Sequence, residues 1–144
     1  MRTDVTIERT PDGRRLVVAR DTDTPRAAAW DVLTDTRRWP EWGPSVRAVE
    51  CDRRRITAGT TGRVRLPGGL WLPFEITDCE EYRWTWRVAR VPATGHRVDP
   101  PQGRAGCRVV FELPVPAAGY VPVCARALDR IDALLAEETA APVG

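Results

Sequence analysis

The sequence predicts an α+β fold, a curved antiparallel sheet wrapped around a long C-terminal helix. Three observations predict it. Period-two alternation recurs through the middle of the chain, a short helical stretch follows the first strands, and the period changes to that of a helix after Gly119. Such a helix must bury its apolar stripe, and the apolar face of the sheet is the available partner. With 144 residues, the chain should form one domain over residues 1–144, burying about 70% of its unfolded surface.

Val5 to Thr10 and Arg15 to Arg20 are β-rich runs flanking Pro11-Asp12-Gly13, a turn signal in which Pro sets φ and Gly takes φ > 0. A helix should follow. Thr24 can cap its first turn, Pro25 suits the first helical position, and Ala27 to Ala29 favour helix. Ala29, Trp30 and Leu33 share its apolar face. It should fade across Thr34-Asp35-Thr36, whose side chains compete for the backbone. In Trp39-Pro40-Glu41-Trp42-Gly43-Pro44 the prolines disfavour helix at Trp39 and Gly43. The chain must turn there, carrying two rings that pack as core.

Val46 to Asp52 reads as a strand and Arg53 to Thr60 as a loop. Gly62 to Leu66 and Leu70 to Glu80 are strands joined by Pro67-Gly68-Gly69. In the second, Leu70, Leu72, Phe74 and Ile76 oppose Trp71, Glu75 and Thr77, with a bulge or bend expected at Pro73. Tyr82, Trp84, Trp86 and Val88 alternate with Arg83, Thr85, Arg87 and Ala89. Pro92 marks a turn, Ala93 to Val98 is a further strand, and Pro100 to Gly106 is a loop. In the last strand, Cys107 to Leu113, Val109, Phe111 and Leu113 oppose Arg108 and Glu112. Cys124, Leu128, Ile131 and Leu135 then follow i, i+4, i+7, i+11, and Pro122 is tolerable only in a first turn. From Pro122 to Glu138 this helix would be about 25 Å long. Thr139 to Gly144 should fray.

Composition excludes several function classes. No run approaches a membrane span, and the N-terminus lacks the apolar core of a signal peptide, so a cytoplasmic location is expected. A net charge of +2 is too small to argue for nucleic acid. All 22 basic residues are Arg, a bias of the kind a GC-rich genome produces, and Arg53-Arg54-Arg55 reads as a solvated loop. The four cysteines have no CxxC pairing and should be free and mostly buried. One histidine cannot build a multi-histidine metal site. Ser45, the sole serine, has no nucleophile-elbow context. No metal or cofactor is expected.

A strand leading into Thr24-Pro25, then Ala29-Trp30-Asp31-Val32-Leu33-Thr34-Asp35, Trp39-Pro40-Glu41-Trp42 and a closing amphipathic helix resemble the SRPBCC, or START-like, superfamily. Within it, the chain looks most like the polyketide cyclase/dehydrase and lipid transport branch. The resemblance covers nearly the whole chain. It implies the helix-grip fold and a pocket for a hydrophobic small molecule between the long helix and the sheet. It implies no activity, because the branch shares no single catalytic residue set.

If the wall carrying Leu72, Phe74 and Ile76 faces inward, then Trp84, Trp86, Val109 and Phe111 join it, with Leu128, Ile131 and Leu135 facing them from the helix. Trp30 on the early helix completes the apolar ligand-binding set. The ordinary alternative is that these residues are simply core. His96 is a polar candidate, since a neutral imidazole at a pocket can act as general base or hydrogen-bond a ligand carbonyl. A lone strand histidine is also commonly half-exposed and inert. Tyr82 is the second candidate proton carrier, with Arg97, Glu75 and Glu112 as further polar residues. The scarcity of inward-looking polar groups favours a binding protein for a lipid-like, aromatic or polyketide molecule. The alternatives are an aromatase/cyclase-type enzyme that folds a polyketide-like chain, and a protein-binding module on the same fold. Oligomeric state is not readable from the sequence.

Overall fold

The structure, a computed structural model, describes residues 3–101, 103 and 105–140. The described chain runs β1 (Thr3–Thr10), β2 (Gly13–Thr22), α1 (Arg26–Thr34), a 3-10 turn (Thr36–Arg38) and α2 (Trp39–Trp42). Next come β3 (Ala48–Glu50), β4 (Thr61–Arg65), β5 (Trp71–Glu80), β6 (Arg83–Val88), β7 (Val91–Asp99) and β8 (Cys107–Pro114). A second 3-10 segment (Val115–Tyr120) leads into α3 (Val121–Ala140). All eight strands form one curved antiparallel sheet in the order β1-β2-β8-β7-β6-β5-β4-β3. This is the α+β arrangement of sheet and C-terminal helix read from the sequence.

The stripe of α3 is buried as its spacing requires. Cys124, Leu128, Ile131 and Leu135 join Val18, Val109, Phe111 and Leu113 in one apolar core. The helix packs mainly on β2, β8, α1 and α2, so the β4–β5 wing of the sheet lies beyond its cover. Arg20, 7% exposed, anchors α3 to the sheet by donating to Asp129 and Asp132.

On the opposite face, Val17, Ala19 and Val110 form a second small buried cluster, separate from the core that α3 joins. A lattice of ion pairs surrounds it: Arg83 with Asp12 and Glu112, Arg97 with Glu8, Asp99 and Glu112, and Arg108 with Asp4 and Asp21. The arginine stems can cover apolar surface while their heads find carboxylates. Glu112, 2% exposed, sits between Arg83 and Arg97. Burial raises its pKa, but hydrogen bonds and charge from the two arginines win, and the carboxyl lies below its ordinary value. Gly95 lies directly across from it, and a Cβ there would meet Glu112 Oε1 at 2.8 Å and Cβ at 3.2 Å. Gly95→Ala is therefore expected to cost about 1–3 kcal/mol in urea unfolding; an unchanged midpoint would show that the carboxylate yields freely.

Local structure departs from the sequence reading at several places. Thr24 does not cap α1; Pro25 in an extended conformation (φ −57, ψ 146) is the N-cap, and Thr24 bonds back to Thr22 instead. Trp39 is helical (φ −53, ψ −43) despite preceding Pro40, because it opens α2 and burying its ring outweighs the local steric preference. The expected Val46 to Asp52 strand contracts to Ala48–Glu50. The irregularity in β5 lies between Ile76 and Asp78, not at Pro73, which pairs in register with Arg63. Leu70 precedes the strand and is 61% exposed. The turn assigned to Pro92 falls at Ala89-Arg90, both at positive φ (51 and 68), and Pro92 lies within β7. Such a two-residue connection matches the strand twist without a glycine or asparagine to announce it. The helix reaches Ala140, and the rest of the expected frayed tail lies outside the described residues, as do Gln102 and Arg104 of the predicted loop.

Candidate functional site

Alternation along β6 and β7 turns Trp84, Trp86, Thr94 and His96 toward α3, and β8 adds Phe111. Opposite them, the single turn of α2 presents Trp39 and Trp42, whose indoles donate to the Leu33 and Val32 carbonyls at the end of α1. Trp39 stacks on Trp84 with centroids 5.2 Å apart and meets Trp86 edge-on at 5.3 Å. Trp42 stacks on Phe111 at 5.8 Å. His96 lies flat on Trp84 at 3.8 Å.

His96 is buried rather than half-exposed, at 4%. Thr94 Oγ1 lies 3.1 Å from Trp86 Nε1 and 3.0 Å from His96 Nε2. Indole can only donate, so the arrangement that satisfies all three groups has Thr94 accept from Trp86 and donate to His96 Nε2. The ring proton then sits on Nδ1, which makes no hydrogen bond of normal geometry. Burial holds the imidazole pKa down at about 3; the nearby Trp84 main chain opposes this, and the Arg83 charge adds to it. His96 is thus neutral with its acceptor nitrogen already engaged. Among the described residues, Trp84 Nε1 is the other buried side-chain nitrogen without a hydrogen-bond partner.

Two adjoining spaces open against this aromatic wall. The inner, of about 50 Å³, is lined by the rings of Trp39, Trp42, Trp84, His96 and Phe111. Gly43, Pro44, Val123, Cys124 and Ala127 complete its lining. The outer, of about 290 Å³, lies over the wing that α3 leaves uncovered: Val64, Leu66, Leu72, Val88, Pro92, Ala93, Leu113, Pro114 and Ala117. Ser45, Val46, Trp86, Thr94 and Tyr120 line both and form a waist between them. Among the described residues no ionised side chain lines either space, in a protein that is 29% charged. At the waist the Ser45 and Tyr120 hydroxyls are hydrogen-bonded to each other. Burial raises the Tyr120 pKa, the Ser45 hydrogen bond opposes the rise, and Cys124 adds to it. Burial likewise pushes the Cys124 thiol up to about 12. Both stay protonated near neutrality.

Of the residues singled out from the sequence, Trp84, Trp86, His96 and Phe111 line the inner space, and Leu72 and Trp86 the outer. Phe74, Ile76, Val109, Leu128, Ile131 and Leu135 line neither and are packed in the core. Trp30 and Tyr82 meet edge-on at 5.7 Å away from both spaces, with Arg26 4.0 Å over the tyrosine ring. Glu75 and Arg97 line neither, and Glu112 belongs to the ion-pair lattice. Sequence reasoning passed over Trp39, Trp42, Ser45, Thr94 and Tyr120. The two tryptophans carried a signal, being large rings on a proline-punctuated turn, but packing explained them equally well. Among the described residues no group of three or more His, Cys, Asp or Glu is placed to hold a metal ion, and no helix is long and apolar enough to cross a membrane.

A family model described as polyketide cyclase/dehydrase and lipid transport matches residues 4–137. No curated protein matches the chain in sequence. Among solved structures, the chain is similar to protein Ms6760 from Mycobacterium smegmatis, with TM-score 0.61, 19% identity, and 94% of this chain and 99% of that one covered. It is also similar to protein NE0264 from Nitrosomonas europaea, with TM-score 0.66, 17% identity and coverages of 88% and 97%. Protein MLL2253 from Mesorhizobium loti gives TM-score 0.67, 16% identity and coverages of 89% and 100%. At these identities the likeness shows the fold alone.

Proposed function

Because this chain belongs to the polyketide cyclase/dehydrase and lipid transport family, we propose that its two-chambered pocket binds a hydrophobic small molecule. The observation that carries this reading is the lining itself, apolar and aromatic, with no ionised side chain among the described residues in either space. Binding sites for small molecules combine such walls with a few fixed polar groups, and the outer space alone is close to the lower end of their usual ~300–1,000 Å³. The inner space, of about 50 Å³, has room only for a short apolar group, so the bulk of such a ligand lies in the outer one.

A cyclase-type reaction would need a proton carrier against the ligand. His96 lines the inner space but is held neutral down to about pH 3, with Nε2 occupied by Thr94. Tyr82 faces Trp30 and Arg26, away from the pocket. These placements favour binding over catalysis.

Native mass spectrometry of the protein purified without added ligand is expected to show a retained apolar molecule. Ala117→Trp, which places a ring in the outer chamber, is expected to remove that mass while leaving the unfolding midpoint near that of the parent. Equal retention by both proteins would mean that the molecule sits elsewhere.

A further inference from the structure

Apart from the two unpartnered ring nitrogens against the inner space, Trp84 Nε1 and His96 Nδ1, the hydrogen-bonding side chains of the pocket form a Thr94-centred set and a hydroxyl pair at the waist. Thr94 accepts from Trp86 and donates to His96, so its only proton is spent. Ser45 and Tyr120 hold two hydroxyl protons between them, and only one is used in the bond that joins them. Neither hydroxyl has another hydrogen-bond partner among the described residues. One O–H therefore remains to be donated at the waist, and among the described residues no cationic side chain lines either space to receive an anion.

Resting on the pocket reading above, we propose that the Ser45–Tyr120 hydroxyl pair is its specificity element. The pair donates one hydrogen bond to an uncharged acceptor oxygen, a ketone or ester carbonyl, on a ligand lying across the waist. The inner space then takes a short apolar end and the outer space the larger remainder. A carboxylate would lose its hydration for a single neutral donor, which does not compensate a buried charge. Free fatty acids and other anions are therefore rejected at this position, and a neutral ketone is preferred over the hydrocarbon of the same shape.

Three matched probes test this by equilibrium dialysis at pH 7: 2-acetylnaphthalene, 2-ethylnaphthalene and 2-naphthoate. The ketone is expected to bind about fivefold more tightly than the hydrocarbon, the size of one neutral hydrogen bond. The carboxylate is expected to bind more weakly than either. In the double variant Ser45→Ala/Tyr120→Phe the ketone preference should vanish while hydrocarbon affinity stays within about twofold, with circular dichroism confirming the fold. Tyr120→Phe alone keeps one hydroxyl and should keep the preference. Equal binding of ketone and hydrocarbon by the parent, carboxylate binding as tight as the ketone, or a preference surviving the double variant would each overturn the inference while leaving the pocket intact. Retention of none of the three probes would remove the pocket reading and this inference with it.

Discussion

Glu112→Leu is expected to lower the unfolding free energy by about 3–5 kcal/mol at pH 7. The carboxylate is almost fully buried and accepts from Arg83 Nε and Nη2 and Arg97 Nη1 at 2.7–3.1 Å. Removing it leaves two guanidinium groups facing each other over the sheet, where water reaches them only in part. Their other partners, Asp12, Glu8 and Asp99, are more exposed and compensate poorly. Urea unfolding followed by tryptophan fluorescence measures the loss. A cost under about 1 kcal/mol would mean that the arginines simply swing into solvent. Replacing all three residues with apolar ones should recover much of the loss, since the penalty comes from breaking the cluster rather than from lacking it.

Acidification is expected to destabilise the protein from pH 6.5 downward, before the carboxylates titrate. His96 has a folded pKa of about 3 against an ordinary value of 6.5. Between those values the unfolded chain binds a proton that the folded chain refuses, so stability falls with pH by about 1.4 kcal/mol per unit. The full contribution is present above pH 6.5, and about 2 kcal/mol of it should be gone by pH 5. Glu112 acts in a separate window. Its lowered pKa contributes stability above its ordinary value of 4.5, lost as pH falls through the folded value. His96→Gln should therefore flatten the profile between pH 6.5 and 5 and leave the steeper fall below 4.5. A parent profile already flat between pH 6.5 and 5 would contradict the buried neutral imidazole.

The fold was legible because its determinants are periodic. The stripe of Cys124, Leu128, Ile131 and Leu135 and the alternation of Trp84 with Thr85 and of Phe111 with Glu112 need no tertiary information to be seen. What stayed hidden depends on contacts between distant segments. Nothing local marks Ala89-Arg90 as a left-handed turn, because neither residue is the type that such turns select. Pro73 looked disruptive, yet the register shift formed three residues later. The site was only half legible for the same reason. Alternation identifies which strand residues face the helix, but not that α3 stops short of the β4–β5 wing and leaves a hollow there. Nor can spacing reveal that Ser45 meets Tyr120 from 75 positions away, or that Trp39 and Trp42 serve as core and wall at once.

The inner chamber is walled largely by rings. Each ring moves through only two torsions, and here most are wedged against a neighbour or tethered through a nitrogen. Such a mould loses little freedom when it is filled, and it cannot reshape itself around a poor fit. On the binding role proposed above, guests should be sorted by outline more sharply than by greasiness, so that one methyl group added at the deep end excludes a molecule that an otherwise oilier but slimmer one can replace.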